Sequence, residues 1–389
     1  MISFENTQTA FQYKSKTDLK RGNLLFSAMK YPGLVKLGSG ALQAAMTMGL
    51  PYKWAVKPTI YKHFVGGETI EKCYNAVRLL EKYNVKAILD YSVEGRESDE
   101  DIEAALQETL RTVDNAAKDP NVPFAVFKPT AFGKGSMLEK ASLGEELSKE
   151  EQQEAEKFRT RVRRLCQSAY DQDVPVLIDA EDSWYQAFID QVVEEMMELY
   201  NKEKVIVFNT LQMYRHDRLD FLKESFRKAE EGGYYLGIKF VRGAYMEKER
   251  ERAAEMGYED PIQPSKEATD EAYDAALKFS VEHRDRMIIF NGTHNERSSM
   301  YLTELMEQYG IAPNDQRFWF SQLYGMSDHI SFNLAAAGYN VAKYVPFGPV
   351  KHVMPYLIRR AEENTSVKGQ TSRELDLLSQ EFKRRREED

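Results

Sequence analysis

Between Val85 and Val345 the chain alternates, eight times over, a short apolar run with a longer charged amphipathic stretch. The runs are Val85–Tyr91, Phe124–Pro129, Pro175–Asp179, Val205–Asn209, Leu236–Val241, Met287–Asn291, Phe318–Leu323 and Val341–Val345. None shows the apolar–polar alternation of a half-exposed strand, so each reads as a parallel strand covered on both faces. Eight such β-then-α units over about 280 residues match a (β/α)8 barrel, whose usual length is about 250 residues. An open doubly wound sheet would place a Gly-rich GxGxxG turn after a strand, and no such turn occurs here. The pairs Gly133 with Gly135 and Gly232 with Gly233 have the wrong spacing for a phosphate cradle.

The flanks carry a different pattern. Residues 1–75 repeat apolar positions at helical spacing, with breaks at Pro32–Gly33, Pro51 and Gly66–Gly67. A further helix is predicted from Glu68 to Tyr83, leading into the first strand. The expected division is a helical N-terminal extension over 1–84, a catalytic α/β barrel over 85–370 and a charged C-terminal helix or tail over 371–389. Ser148 and Glu151 form a predicted capping box ahead of a long helix. The terminal run KRRREED reads as solvated and disordered.

Composition removes several function classes. A net charge of −9 offers no basic face for nucleic acid. Cys73 and Cys166 are far apart, which suits a reducing compartment and no zinc motif. The N-terminus has no apolar core behind a basic start, and no apolar run approaches the roughly 20 residues of a membrane span. No amphipathic basic helix stands out. The expectation is a cytoplasmic enzyme, with peripheral association at an inner membrane left open.

Barrel chemistry sits where the strands end. Asp90 and Glu94 follow the first strand, Lys128 the second, and Asp179, Glu181 and Asp182 the third. Gln212 and Tyr214 follow the fourth. The fifth carries Lys239, then Arg242, Gly243, Ala244 and Tyr245. Thr293, His294 and Asn295 follow the sixth, and Gln322, Leu323 and Tyr324 close the seventh. A lysine in an apolar strand either turns into the barrel mouth beside a carboxylate such as Asp179 or snorkels out at an edge. His294 shares no metal spacing with the other histidines and reads equally as a hydrogen-bonded loop residue. The set contains no metal constellation and no Ser–His–Asp or Cys–His arrangement, so anion recognition is better supported than hydrolysis. Redox chemistry would need an organic cofactor, because these side chains accept no hydride.

The last strand leads through Pro346, Gly348 and Pro349 into YLIRRAEEN, a predicted helix with Pro in its first turn. On it Tyr356, Arg359, Arg360 and Glu363 are neighbours, and two adjacent guanidiniums could share a small anion. The plainer reading is a surface Arg–Glu ladder.

YLIRRAEEN resembles the C-terminal signature of the proline dehydrogenases. KFVRGAY at 239–245, GTHN at 292–295, QLYGM at 322–326 and YVPFG at 344–348 resemble that family's other strand-end motifs, in the same order. The resemblance implies a (β/α)8 barrel with its last helix carrying the arginine pair over the mouth. It implies FAD as cofactor, with hydride transfer from C5 of L-proline to the flavin and passage of electrons to a quinone or another acceptor. It places Arg359, Arg360 and Lys128 on the proline carboxylate and Tyr245, Leu323 and Tyr344 around the ring. Asp179 would orient Lys128, and Glu363 would pair with an arginine. Ala180, Gln212, Lys239, Val241, Arg242, Gly243, Ala244, Thr293, His294 and Asn295 would hold the cofactor. Lys239 stands where many bacterial members have Arg, keeping the charge but losing the fork of donors. Tyr344 implies proline rather than hydroxyproline. No aldehyde dehydrogenase segment follows, so a separate 1-pyrroline-5-carboxylate dehydrogenase is the expected partner. The rival readings are a Schiff-base lyase or aldolase using Lys128 or Lys239, and a catalytically silent binding barrel.

Overall fold

The computed structural model describes residues 2–92, 98–366 and 370–388, with the side chains of Pro32, 362–366 and 370–371 left aside. Eight strands form where the apolar runs lie: β1 (Lys86–Tyr91), β2 (Ala125–Phe127), β3 (Val176–Ile178) and β4 (Val207–Gln212), then β5 (Leu236–Val241), β6 (Met287–Gly292), β7 (Phe318–Leu323) and β8 (Val341–Phe347). They run parallel in the order β1-β8-β7-β6-β5-β4-β3-β2, a nearly closed barrel with its helices around it. Continuous apolar strands are what double-sided burial requires, and β2, β3, β4 and β8 are buried along their whole length.

Several strand ends differ from expectation by one to three residues, and the differences at β4 and β8 have local reasons. β4 starts two residues late because the Asn201 side-chain oxygen takes the N–H groups of Ile206 and Val207 at 2.9 and 2.8 Å. β8 continues through Pro346, where the sequence suggests a break. Pro346 offers no N–H, but its carbonyl accepts from Gly66 N–H at 2.9 Å, so the strand stays anchored there.

The chain forms two compact units, Val93–Ser321 and Met1–Ser92 with Gln322–Asp389. The first holds β2 to β6 and most of β7. Its long helix Lys149–Asp171 opens on the predicted capping box: Ser148 Oγ accepts from Glu151 N–H at 3.2 Å, and the Glu151 carboxylate accepts from Ser148 N–H at 2.9 Å.

The second unit joins β1 and β8 to the N-terminal helices and to the last two, Val350–Ser366 and Gln370–Glu387. Phe11, Phe26, Phe64, Leu357, Leu377 and Leu378 pack in one buried cluster. The C-terminal run departs from the expected disordered tail, for it is helical to Glu387. Arg384 and Arg385 both pair with the fully buried Glu381, and Arg385 also donates to the carbonyls of Lys14 and Phe11 at 2.6 and 2.8 Å. Cationic residues that look solvated in sequence are the clamp on the N-terminal segment.

A polar cluster lies inside the same unit. Asp328 accepts from Tyr13 Oη at 2.7 Å and pairs with Lys343 at 2.9 Å and Lys14 at 3.1 Å. Lys343 Nζ also donates to the carbonyls of Met326 and Leu323, at 2.5 and 3.4 Å. Nearby, His63 Nε2 donates to the Gly325 carbonyl at 2.9 Å. Gly325 has φ +80°, and a Cβ there would collide with the His63 carbonyl, so only glycine fits. Burial first and then the Lys14 charge depress the His63 pKa to about 3. Between the ordinary histidine value of about 6.5 and 3, the unfolded chain binds a proton that the folded chain refuses. Stability is therefore expected to fall as pH drops through that window, with a slope approaching about 1.4 kcal/mol per pH unit. Urea unfolding from pH 7 to 4 checks this, and His63→Gln should flatten the slope.

Candidate active site

Three charged residues meet at strand ends of the Val93–Ser321 unit. Lys128 follows β2, Asp179 follows β3, and Lys239 lies in β5. Lys128 Nζ stands 3.1 Å from Asp179 Oδ2, while Lys239 Nζ donates to Asp179 Oδ1. Their side chains are 11, 15 and 5% exposed. Burial alone would raise the Asp179 pKa, but the Lys239 and Lys128 ammonium charges outweigh it and hold the carboxyl below its usual range. One carboxylate thus fixes two cations from strands on either side.

A second cluster surrounds Arg242, just past β5. Its guanidinium donates to Asp270 at 2.8 Å, to Thr293 Oγ1 at 2.6 Å and to Ser298 Oγ at 3.0 Å, and lies 4.4 Å from the Tyr273 ring centroid. Arg242 therefore braces the turn after β6 through Thr293. Asn295 caps the helix Glu296–Gln308 by accepting from Ser298 N–H at 3.0 Å, and its own N–H donates to Thr293 Oγ1 at 3.1 Å. His294 sits half-buried between them. Ala180, Val241, Ala244 and Tyr245 are half-buried and Gly243 is exposed, with φ +130°. A Cβ at Gly243 would lie 2.5 Å from the Tyr214 ring, so glycine alone lets the chain pass there.

The FAD expectation can be tested against these residues. Gln212 is buried at the end of β4, and among the described residues its Oε1 meets no hydrogen-bond donor. A buried unsatisfied amide oxygen is costly, and a donor on the polar edge of a flavin ring would satisfy it. Lys239 and Lys128 supply positive charge, which favours a reduced, anionic flavin. The capped helix start after Asn295 presents amide groups of the kind that accept phosphate. The residues present fit the group.

In the other unit, Tyr344 is buried in β8 and Leu323 is half-buried at the end of β7. The Tyr344 carbonyl accepts from Tyr324 N–H at 2.8 Å. Arg359 is half-buried and Arg360 buried on the helix Val350–Ser366, with the Arg360 guanidinium 5.5 Å from the Tyr356 ring centroid. A surface Arg–Glu ladder does not describe a buried Arg360. Glu94 and the side chain of Glu363 lie outside the described residues.

Sequence reasoning missed several supports. Asp270 and Ser298, which hold Arg242, lie on helices 28 and 56 residues beyond it, and no local signal marks them. Glu181 stands among the predicted strand-end residues, yet its work is structural, accepting from Thr130 N–H and Oγ1, both at 2.7 Å. Lys343 offers the same signal as Lys128, a lysine in an apolar strand, but it turns to Asp328.

A (β/α)8 barrel with charged and amide side chains set at its strand ends, fitted to an organic redox cofactor, is the class these features define. The family model described as Proline dehydrogenase matches residues 73–373, and the chain belongs to that family. It is 33% identical to the carbapenem antibiotics biosynthesis protein CarD of Pectobacterium carotovorum, over 83% of each chain. It is also 33% identical to the mitochondrial proline dehydrogenase 1 of Dictyostelium discoideum, over 86% of this chain and 66% of that one. Among solved structures, proline utilization A from Bdellovibrio bacteriovorus superposes with a TM-score of 0.73 at 21% identity, over 83% of this chain and 36% of that chain. That likeness establishes the fold. The Schiff-base alternative finds no support: the matching family model and the Dictyostelium relative are those of proline dehydrogenases.

Proposed function

We propose that the chain binds FAD and oxidises L-proline to 1-pyrroline-5-carboxylate, the first step of proline degradation to glutamate. What supports this reading most is the arginine pair: Arg359 and a buried Arg360 side by side on the helix that follows the Tyr344 strand. Two guanidiniums so placed suit a carboxylate.

In this reading Arg359 and Arg360 hold the proline carboxylate, together with Lys128. Tyr245, Leu323 and Tyr344 border the pyrrolidine ring, with the bulk of Tyr344 disfavouring a 4-hydroxyl. Glu363 steadies an arginine. Asp179 keeps Lys128 and Lys239 oriented, and Lys239 faces the flavin. Ala180, Gln212, Val241 to Ala244 and Thr293 to Asn295 hold the rest of the cofactor. When bound, FAD supplies the acceptor for the hydride that leaves C5. The amine is deprotonated first, and its proton passes to solvent. Electrons leave to a quinone-type acceptor, and the product goes to a separate 1-pyrroline-5-carboxylate dehydrogenase. We assign the catalytic role to residues 85–370, and the site of action to the cytoplasm, peripheral to an inner membrane.

The test is an absorbance spectrum of the purified protein before and after anaerobic L-proline. A flavin band that bleaches with proline is the expected result. A flavin band indifferent to proline would withdraw the substrate, and no flavin after reconstitution with FAD would withdraw the whole reading.

A further inference from the structure

The helix that follows Tyr245, Met246–Met256, is held in place by polar contacts. Of its eleven residues only Glu249 and Ala253 are buried, while Met246 and Met256 are 42 and 64% exposed. So short a helix is marginal by itself, and one buried alanine is too small an apolar face to fix it. Where the helix sits is therefore decided by its charged residues.

Glu249 is central among them. Its side chain is fully buried and both carboxylate oxygens are used: Oε1 accepts from Ser183 N–H at 2.7 Å, and Oε2 accepts from Ser183 Oγ. Ser183 opens the helix Ser183–Tyr200, whose N-cap residue Asp182 makes no side-chain cap of its own. A helix start carries N–H groups without intrahelical partners and a partial positive charge, which a carboxylate satisfies. Glu249 thus caps a helix that begins 66 residues earlier in the chain. Burial raises the Glu249 pKa, and the two Ser183 donors pull it back. Two outer pairs flank this contact, Lys248 with Asp182 at 2.8 Å and Arg252 with Glu139. Both are part-exposed, and such pairs contribute little.

Each end of the buried contact leads to a residue assigned to the site. The Tyr245 carbonyl accepts from Glu249 N–H at 2.9 Å, in the first turn of the helix. Ser183 lies four residues beyond Asp179, and Glu181 between them holds Thr130, two residues after Lys128. One carboxylate therefore ties the segment carrying Tyr245 to the loop carrying Asp179.

We propose that Glu249 is a positioning residue for the oxidation: through Ser183 it holds Tyr245 in register with Asp179 and Lys128. The proposal rests on the assignment of Tyr245 to the border of the pyrrolidine ring.

Trypsin reads the attachment without any measure of activity. Lys248, Arg250 and Arg252 are cleavage sites on this helix, and a helix must open locally before a protease can cut it. In the flavin-loaded full chain, Glu249→Ala should be cut at these sites about tenfold faster than the wild type, in proportion to the open population. Glu249→Gln should lie between, because its amide oxygen still accepts one Ser183 donor. Glu255→Ala, an exposed change on the same helix, should match the wild type.

Kinetics at pH 8, where the carboxyl is ionised, then separate positioning from general stability. Glu249→Ala should lower kcat/KM for L-proline about tenfold or more, since a misplacement of about 1 Å is felt on that scale. In a Tyr245→Ala background the same change should cost much less, because the positioned group is already gone. A merely structural role would give the same fold loss in both backgrounds, and urea midpoints record that role separately. Should Glu249→Ala fail to fold, Glu249→Gln and Ser183→Ala carry the same comparison. Unchanged cleavage, unchanged kcat/KM, or equal losses in the two backgrounds would each overturn the proposal. Wild-type kinetics in Tyr245→Ala would overturn it together with the Tyr245 assignment. Flavin bleaching by proline, scored on the same preparations, shows whether the wider reading stands.

Discussion

Replacing Arg360 by Met is expected to raise the proline KM by about 100-fold or more, the scale on which losing one partner of a desolvated charge pair is felt. Arg360 is 8% exposed, so water cannot stand in for its guanidinium. Met keeps much of the length and apolar bulk beside Tyr356 while removing every donor. In the proposed assignment the carboxylate is bound alike before and during hydride loss, so the effect should fall mainly on KM, with a smaller loss in kcat. Arg360→Lys should lie between, because an ammonium keeps the charge but not the planar fork. Steady-state kinetics with L-proline and a soluble dye decide it. An unchanged KM in Arg360→Met would remove the carboxylate assignment.

Asp179→Asn should be the most damaging single change in the other unit. Asn has the same shape but no charge, so Lys128 and Lys239, both largely buried, lose the carboxylate they share. Breaking a buried pair in this way costs about 3–5 kcal/mol. Urea midpoints of the variant measure it, and flavin content should fall with them if Lys239 faces the cofactor as proposed. Adding Lys239→Met to Asp179→Asn should recover part of the loss by removing one of the two cations that faced Asp179, and a double-mutant cycle would show that coupling. The pH dependence follows from the same pair. The folded-state pKa of Asp179 lies below its ordinary value. Its contribution is fully present above the ordinary carboxylate range and is lost as pH falls through the folded value. The acid limb of stability should therefore be shallower in Asp179→Asn than in the wild type. Equal acid limbs would mean that Asp179 is not what its neighbours make it.

The strands were readable because double-sided burial leaves a one-dimensional trace. A residue covered by helix on one side and barrel core on the other must be apolar whatever its neighbours, so β5 and β7 appear with the predicted ends. Ends held by side chains were not readable, as at β4, where Asn201 takes the first N–H groups from outside the strand. The polar residues at strand ends could likewise be named from position alone. Lys128 and Lys343 show the limit of that reasoning. Both are lysines in apolar runs, Lys128 just after β2 and Lys343 within β8, yet one meets Asp179 and the other meets Asp328 and the carbonyls of Leu323 and Met326. A strand specifies where a side chain can point, but the carboxylate it meets comes from another part of the chain.

The charged C-terminal run repeats that lesson from the opposite side. Its composition belongs to a solvated tail, and only the burial of Glu381 against the N-terminal segment makes Arg384 and Arg385 structural. By itself, then, the sequence determined the barrel rhythm, the strand-end set and the adjacent arginines, because each depends on the apolar period of a local segment. Tertiary structure alone decided which cation each carboxylate neutralises and which charged residues of the C-terminal helix are buried. Those outcomes depend on distances between segments far apart in the chain, and burial strengthens a charge pair only once the fold has excluded water from it.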